Sequence, residues 1–383
     1  MRFPEFSGEW AKFRNDSLFN VISEKNKGKL ITSVLSASQT DGMVSRDSLG
    51  IDIKFEEDSI KNYKIVREGD YVIHLRSFQG GFAFSDRIGV CSPAYTILRP
   101  RKQVSFGFLK PFFMSNKFIN SLRLVTYGIR DGKSISVEEW LKLNTHLPSL
   151  KEQQKISSFL SLLDERIATQ IKIIEKLESL IRGIVETHYS NCQHKTKVKI
   201  ADLGMSFTTM NMSKEDLSNE GNECILYGEL FTTYGCVISS IKSRTQLSID
   251  TSTISQKNDL LFPASTTVDA MSLIAPSAIC KDGVILGGDL FGIHISKDYD
   301  SEYLSYLINN IYKSHLARFA QGSTIIHLHY SDIKNAIIEL PSLSEQKYLA
   351  SLMREVESKI VNEKNMLSKL EVQKAYLLSH LFI

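Results

Sequence analysis

The sequence predicts an α+β chain: two α/β domains related by a pseudo-twofold axis and separated by two long helices that form an antiparallel coiled coil. Three observations carry that expectation. A segment near the middle of the chain recurs at its end, each copy has the heptad spacing of a coiled-coil helix, and the stretches preceding the copies run through the same order of strands, turns and a closing helix.

From Leu147 the chain reads LPSLKEQQKISSFLSLLDERIATQIKIIEKLESLIRGIVETHY, and from Leu340 it reads LPSLSEQKYLASLMREVESKIVNEKNMLSKLEVQKAYLLSHLF, aligned without a gap at an offset of 193 positions. Each copy opens Pro-Ser-Leu-x-Glu-Gln, which places Ser149 three residues before Glu152 and Ser342 three before Glu345. That is capping-box spacing, in which the serine oxygen and the glutamate each satisfy an amide at the helix start. Apolar residues then recur at steps of four and three: Ile156, Leu160, Leu163, Ile167, Ile174, Leu177, Ile181 and Ile184 in the first copy, and Leu349, Met353, Val356, Ile360, Leu367, Leu370, Leu377 and Leu381 in the second. At about 1.5 Å per residue such a helix is roughly 58 Å long. Gln170 and Glu363 interrupt the two seams at the same repeat position, so an antiparallel pair with a central twofold is expected to bring them face to face.

The repeat divides the chain into a first domain over 1–146, a long helix over 147–190, a second domain over 191–339 and a second long helix over 340–383. In the first domain Tyr71-Val-Ile-His-Leu reads as a strand after the turn Glu68-Gly69-Asp70, and Ala94-Tyr-Thr-Ile-Leu as another ended by Pro100. Phe108 to about Tyr127 is amphipathic and is expected to be helical. The second domain echoes this order: Asn258-Asp259 precede a strand, Gly287-Gly288-Asp289 lead into a later one, and Glu302 to about Ala320 is the matching helix. Gln321-Gly322 falls where Tyr127-Gly128 fell. Because the first helix leads into the second domain, symmetry expects the second helix to end beside residues near Met1.

Composition narrows the class. The 383 residues exceed one ordinary core, and 42% hydrophobic with 23% charged residues is globular. No apolar run reaches the roughly 20 residues of a membrane span, and MRFPEFSGEW lacks a signal-peptide core, so a cytoplasmic chain without membrane contact is expected. Cys91, Cys192, Cys224, Cys236 and Cys280 are odd in number and form no Cys-x-x-Cys pair, so they read as reduced thiols. Charge is uneven: residues 1–146 hold 22 Lys+Arg against 16 Asp+Glu, whereas 190–340 hold 12 against 16. The first domain suits phosphate; the second must act through a local patch.

Several constellations are candidates for chemistry. Gly128-Ile-Arg-Asp-Gly132-Lys133-Ser134 is one residue short of a Walker loop and has no framing strand and helix, which disfavours a nucleotide-binding enzyme. Arg130, Lys133 and Ser134 on that turn better suit DNA, with Gln321, Ser323 and Thr324 on the corresponding turn of the second half. Arg76, Ser77 and Gln79 follow the first strand as Thr266 and Thr267 follow its counterpart, and such side chains contact bases or phosphates. His327, near the Gly322 turn, is a further DNA candidate; with His329 it lacks a third ligand, so no metal site is expected. No Asn/Asp-Pro-Pro-aromatic run, methyl-donor glycine turn or acidic metal cluster is present in the sequence. Catalysis by this chain alone is not expected.

These residues resemble the specificity subunit of type I restriction-modification enzymes: the doubled Leu-Pro-Ser-Leu-x-Glu-Gln helices, Gly69-Asp70 before a strand, Gly128 and Gly322 ahead of the helices, and the opening Arg2-Phe-Pro-Glu-Phe-Ser-Gly-Glu-Trp10. The resemblance implies two target recognition domains, each reading one half of a bipartite double-stranded DNA target, held about one helical turn (roughly 34 to 36 Å) apart by the helix pair. It also implies partners: two modification subunits that bind S-adenosylmethionine and methylate adenine, and restriction subunits that use ATP and Mg, with no cofactor in this chain. Pro148, Glu152, Gln153, Gln170, Pro341, Glu345, Gln346 and Glu363 are then expected to mark the helix signature and subunit docking. A coiled-coil scaffold without a DNA role is the remaining alternative.

Overall fold

The computed structural model describes residues 2–28, 30–38, 41–49, 57–128 and 133–382. The chain forms two compact units, Met1–Ile171 with Asn365–Ile383, and Lys172–Lys364. Each unit thus combines one globular half with part of each long helix.

In the first unit four antiparallel strands lie in the order Phe19–Ile22, Thr96–Pro100, Tyr71–Ile73, Ala83–Phe84. The central strand is buried on both faces, so it reads as a continuous apolar run rather than an alternating one. Asp70, 1% exposed, anchors its start: the carboxylate accepts from Arg99 Nε and Nη2 at 2.9 and 2.8 Å and from the Arg67 amide at 2.8 Å. Pro100 is the last residue of its strand and not a residue beyond it.

The single helix expected over Phe108–Tyr127 is broken into Lys110–Phe113, Asn116–Ser121 and a 3-10 turn Leu122–Val125. Ser115 is the cause, since its side chain accepts from the Phe118 amide and starts a new helix inside the amphipathic stretch. The break folds Phe113 onto Phe82, Phe19, Tyr71 and Trp140, with ring centroids 5.1 to 6.0 Å apart, and Phe118 onto Phe82 at 5.0 Å.

The second unit repeats the plan. Its five-stranded sheet runs Gly204–Thr208, Leu290–Ile295, Asp259–Pro263, Ser277–Ile279, Val237–Ile238; the first four strands occupy the order seen in the first unit, and the last adds a parallel edge. Asp259 anchors the strand as Asp70 does, accepting from the Gln256 amide at 2.8 Å and pairing with His294 Nδ1 at 2.7 Å. Burial is the main cause that raises the Asp259 pKa above the ordinary carboxylate value, against which the Gln256 amide and His294 pull. Asn258 stands where the first unit has Gly69; it adopts φ 75°, and its side chain accepts from the Ser301 amide at 2.9 Å. The helix expected over Glu302–Ala320 runs Ser301–Leu307, continues through a π-helical turn Ile308–Tyr312 and ends as Lys313–Ala317. From the π turn the Tyr312 hydroxyl accepts from the Glu339 amide at 2.8 Å and meets the Tyr189 hydroxyl at 2.6 Å.

The long helices are Leu150–Asn191 and Leu343–Leu381. Each starts three residues after the repeat begins, because Asn144–Leu147 and Ile337–Leu340 are strands. Those strands pair antiparallel with Ala11–Arg14 and Thr196–Lys199 respectively. Every expected seam position is buried or half-buried. In the first unit Ile156, Leu160 and Leu163 share one apolar cluster with Leu370, Leu377 and Leu381, and Asp164 meets Lys374 at 2.6 Å. In the second, Val185 clusters with Leu349, Ala350 and Met353, and Glu178 meets Lys364 at 2.8 Å. The early part of one helix lies on the late part of the other in both units, so the pair is antiparallel. Gln170 is buried and Glu363 half-buried at their seam positions, each within its own unit.

The helix starts differ from the expected symmetry. At the second, Glu345 accepts from the Ser342 amide at 3.0 Å while its own amide donates to Ser342 Oγ at 3.4 Å, a reciprocal box. At the first, Ser149 Oγ accepts from the Glu152 amide at 3.3 Å, but the Glu152 carboxylate takes Arg2 Nε and Nη2 at 2.7 and 2.6 Å. A forked guanidinium outcompetes a neutral amide for that carboxylate. The glutamines that follow are 1% exposed. Gln153 Nε2 donates to the Gln103 and Pro148 carbonyls at 2.9 and 3.0 Å and its Oε1 accepts from the Ser105 amide at 2.8 Å. Gln346 likewise donates to Pro341 at 2.9 Å and accepts from the Asp300 amide at 3.1 Å.

The chain ends meet as expected: Trp10 lies edge-on to Phe382, centroids 6.5 Å apart, and Phe3 is edge-on to Phe159 of the first long helix. Among the described residues no helix is long and apolar enough to cross a membrane.

Gln153→Ala leaves two carbonyls and one amide without their side-chain partner, and is expected to lower stability by about 1 to 3 kcal/mol. Denaturant unfolding of the full chain checks this; a change under 0.5 kcal/mol would show that the side chain is not a tie between helix and domain.

Candidate nucleic-acid interface

The two loop segments singled out in each half are adjacent in space. In the second unit, Ser265–Thr266 pairs antiparallel with Ile326–His327, joining Ser265 to His327 and Thr266 to Ile326. Gln321 and His327 close the second segment into a tight turn, exchanging backbone hydrogen bonds at 2.9 and 2.7 Å. Gly322 sits in that turn at φ +119°, where an added Cβ would fall 2.1 Å from the Ile325 carbonyl oxygen, so the turn demands glycine. Thr267, Gln321, Ser323, Thr324 and His327 are exposed and Thr266 half-buried, which leaves their donors and acceptors at the protein surface. The helical turn Ala270–Leu273 backs the ladder. Its cap, Asp269, accepts from the Ser272 amide at 2.7 Å, and that bond holds the carboxyl below its ordinary range.

Beside the ladder opens a cavity of about 740 Å³ that includes Ala264 and His329 in its wall, with Thr209, Asn211, Asp289 and Tyr330. The His327 and His329 rings are nearly parallel, 9° apart with centroids at 6.2 Å. Among the described residues no group of three or more His, Cys, Asp or Glu could hold a metal ion.

In the first unit the helical turn Ser77–Gly80 packs beside the hairpin formed by Thr126–Tyr127 and Ser134–Ile135. Gly81 ends that turn at φ +76°, pressed so closely on the Phe113 carbonyl that a Cβ would lie 1.9 Å from its oxygen. Arg76, Gln79, Lys133 and Ser134 are exposed. Arg130 lies outside the described residues, as do the three other central residues of the near-Walker loop. His74, at the base of the turn, has its pKa lowered by burial, against which a backbone hydrogen bond with Gly81 pulls.

Some expected site residues are corrected. Ser77 is fully buried and its Oγ accepts from the His74 amide at 2.8 Å, so it shapes the turn and presents nothing to a ligand. Pro148, Glu152, Gln153, Pro341 and Gln346 are buried ties between helix and domain, and Gln170 is buried in the seam, so none offers a docking surface. Glu345 is exposed, though spent on its cap. Conversely, sequence reasoning passed over exposed apolar neighbours of the polar loops: Leu75 and Tyr127 at 66% and 57% exposure in the first unit, Val268 and Ile325 at 72% and 50% in the second. For Leu75, Tyr127 and Ile325 the nearby Gly80, Gly128 and Gly322 were the available signal; Val268 has no such neighbour.

The sequence matches the family described as type I restriction modification DNA specificity domain twice, over residues 7–179 and 193–372. Two solved structures share the fold along the whole chain. The S subunit of a type I restriction-modification system from M. genitalium is 13% identical with a TM-score of 0.59, covering 100% of this chain and 99% of that one. A chain from a structure described as the basis of complex assembly and conformational transition of the type I R-M system is 14% identical with a TM-score of 0.56, covering 99% and 98%. No curated protein matches the sequence.

The exposed charges and the exposed hydroxyls are expected to behave differently on duplex DNA. Lys133→Ala lowers the slope of log affinity against log salt by about one, as for a lost phosphate contact, whereas Thr324→Ala leaves the slope unchanged. Titrations at several salt concentrations check this, and equal slopes for all three proteins would remove Lys133 from the phosphate contacts.

Proposed function

The chain belongs to the type I restriction modification DNA specificity family and carries two of its domains; from that premise we propose that each domain reads one half of a split double-stranded DNA target for partner subunits that carry out the chemistry. The observation that carries this reading is the shared construction of the two faces. In both units the segment following the aspartate-anchored strand lies against a short strand from just past the closing helices, Ser134–Ile135 in one and Ile326–His327 in the other, and polar side chains are exposed there.

The two faces are chemically unlike, as two different half-targets require. The first presents Arg76, Gln79 and Lys133 from a half carrying net positive charge; the second presents Thr267, Gln321, Ser323 and Thr324 from a half carrying net negative charge. Guanidinium and carboxamide groups make paired contacts with base edges in the major groove, and hydroxyls are tolerant of either base or phosphate. Phosphate neutralisation at the second half-target is then left largely to a partner subunit.

The partners in this reading are two modification subunits that bind S-adenosylmethionine and methylate adenine, and restriction subunits driven by ATP with Mg, acting in the cytoplasm. Docking falls on the outward faces of the long helices, where Leu162 and Leu180 on one helix, and Val361 and Val372 on the other, are exposed. The buried signature residues act from inside by fixing where each helix begins.

Loop replacement tests the reading more cleanly than removal of residues 1–146, which would uncover Phe382 and Leu381. Replacing Gln321, Ser323 and Thr324 together by alanine is expected to alter one half of the target, mapped by sequencing methylated adenines in cells that also carry the modification subunit. The other half should be unchanged. Alteration of both halves, or of neither, would contradict the assignment.

A further inference from the structure

We propose that the second domain recognises thymine through apolar side chains, with Ile325 and Val268 placed to contact 5-methyl groups in the major groove. This rests on the specificity-subunit reading and goes further, naming a base and the atoms that identify it.

Two facts set the surface apart. First, Val268 is 72% exposed and Ile325 50%, and they stand on the two segments that the Ser265–Thr266 and Ile326–His327 ladder ties together. Met271, 44% exposed, lies on the helical turn that backs the ladder. Second, residues 258–280 and 319–333 contain no lysine or arginine, so both segments lack the groups that grip phosphate. What remains at these tips is hydrocarbon beside hydroxyls, a carboxamide and the Asp269 carboxylate, a set that repels phosphate and suits a base edge rather than a backbone.

The patch is also held in place. The Gln321–His327 backbone pair and Gly322 fix the turn that carries Ile325, and both valine and isoleucine are stiff at χ1. The Val268 amide donates to Thr266 Oγ1 at 3.2 Å, which ties that residue to the end of the ladder. Of the four bases only thymine offers an apolar group in the major groove, and that groove admits a two-stranded ribbon. Thr266 and Gln321, on the same ladder and turn, are suited to the polar edges alongside.

The test uses the full chain assembled with its modification subunits and a duplex carrying the mapped target, in which deoxyuridine replaces thymine one position at a time. Uracil keeps every hydrogen-bonding group and loses only the methyl. At one or more positions in the half-target altered by the Gln321, Ser323 and Thr324 replacement, the substitution is expected to weaken binding about fourfold, the worth of one buried methyl group. In Ile325→Ser or Val268→Ser the intact target should bind as weakly as the deoxyuridine target, with no further loss from the substitution, because methyl and side chain act as a pair.

A half-target lacking A·T pairs, a deoxyuridine duplex that binds as well as the thymine duplex, or a penalty that persists in both variants would overturn the proposal. So would variants that fail to assemble with the modification subunits while keeping the full thymine penalty, since the patch would then belong to a protein partner. Loss of sequence-selective binding by the unaltered complex would instead sink the parent reading.

Discussion

The mutual burial of two apolar seams is the constraint on which the rest of this structure depends. A heptad stripe on a helix of about 40 residues cannot be left in water, and each stripe here finds its cover on the other long helix. Ile156, Leu160 and Leu163 lie with Leu370, Leu377 and Leu381 in one unit, and Val185 lies with Leu349 and Met353 in the other. The antiparallel sense follows from chain order once each half must pass its helix to the next. It also explains why the chain closes on itself at Trp10 and Phe382, where the second helix hands back to the first strand.

From that seam the two halves are built outward by the same few devices. A strand of four residues enters each helix and pairs with the first strand of its own half, a proline bars the ladder from continuing, and a buried glutamine stitches the helix start to the domain. A buried aspartate then anchors the central strand, with Arg99 as its cation in one half and His294 as its partner in the other. The halves share their joints and differ at their tips, which is the distribution expected when geometry is kept and recognition is changed. Both tips expose hydrocarbon, Leu75 and Tyr127 in one half and Val268 and Ile325 in the other, but only the first sets arginine and lysine beside it.

The long helices were legible in the sequence because a heptad repeat, stated twice, is a signal carried by many residues at once. The paired strands after Asp70 and Asp259 were legible for the same reason, through their order. Single-residue events were not. Ser115 starts a new helix inside an amphipathic stretch, and its period of 3.6 continues across the break, so periodicity alone reads Phe108–Tyr127 as one element. Direction was equally hidden: Ser77, Glu152 and Gln153 are polar, and nothing in a polar residue's type says that it points inward to satisfy a backbone group. The adjacency of the two candidate loops in each half depended on long-range pairing such as Thr266 with Ile326, which no local pattern encodes. The exposed Val268 and Ile325 sit in polar surroundings where a sequence reading assigns single apolar residues to the core.

The antiparallel pairing can be read directly by zero-length carbodiimide coupling of the full chain followed by mass spectrometry of the cross-linked peptides. The structure places Lys374 at 2.6 Å from Asp164 and Lys364 at 2.8 Å from Glu178, so amide bonds between those partners are the expected products. Coupling of Lys374 to Glu178 instead, as a parallel pair in repeat register would give, would contradict the arrangement and the account built on it.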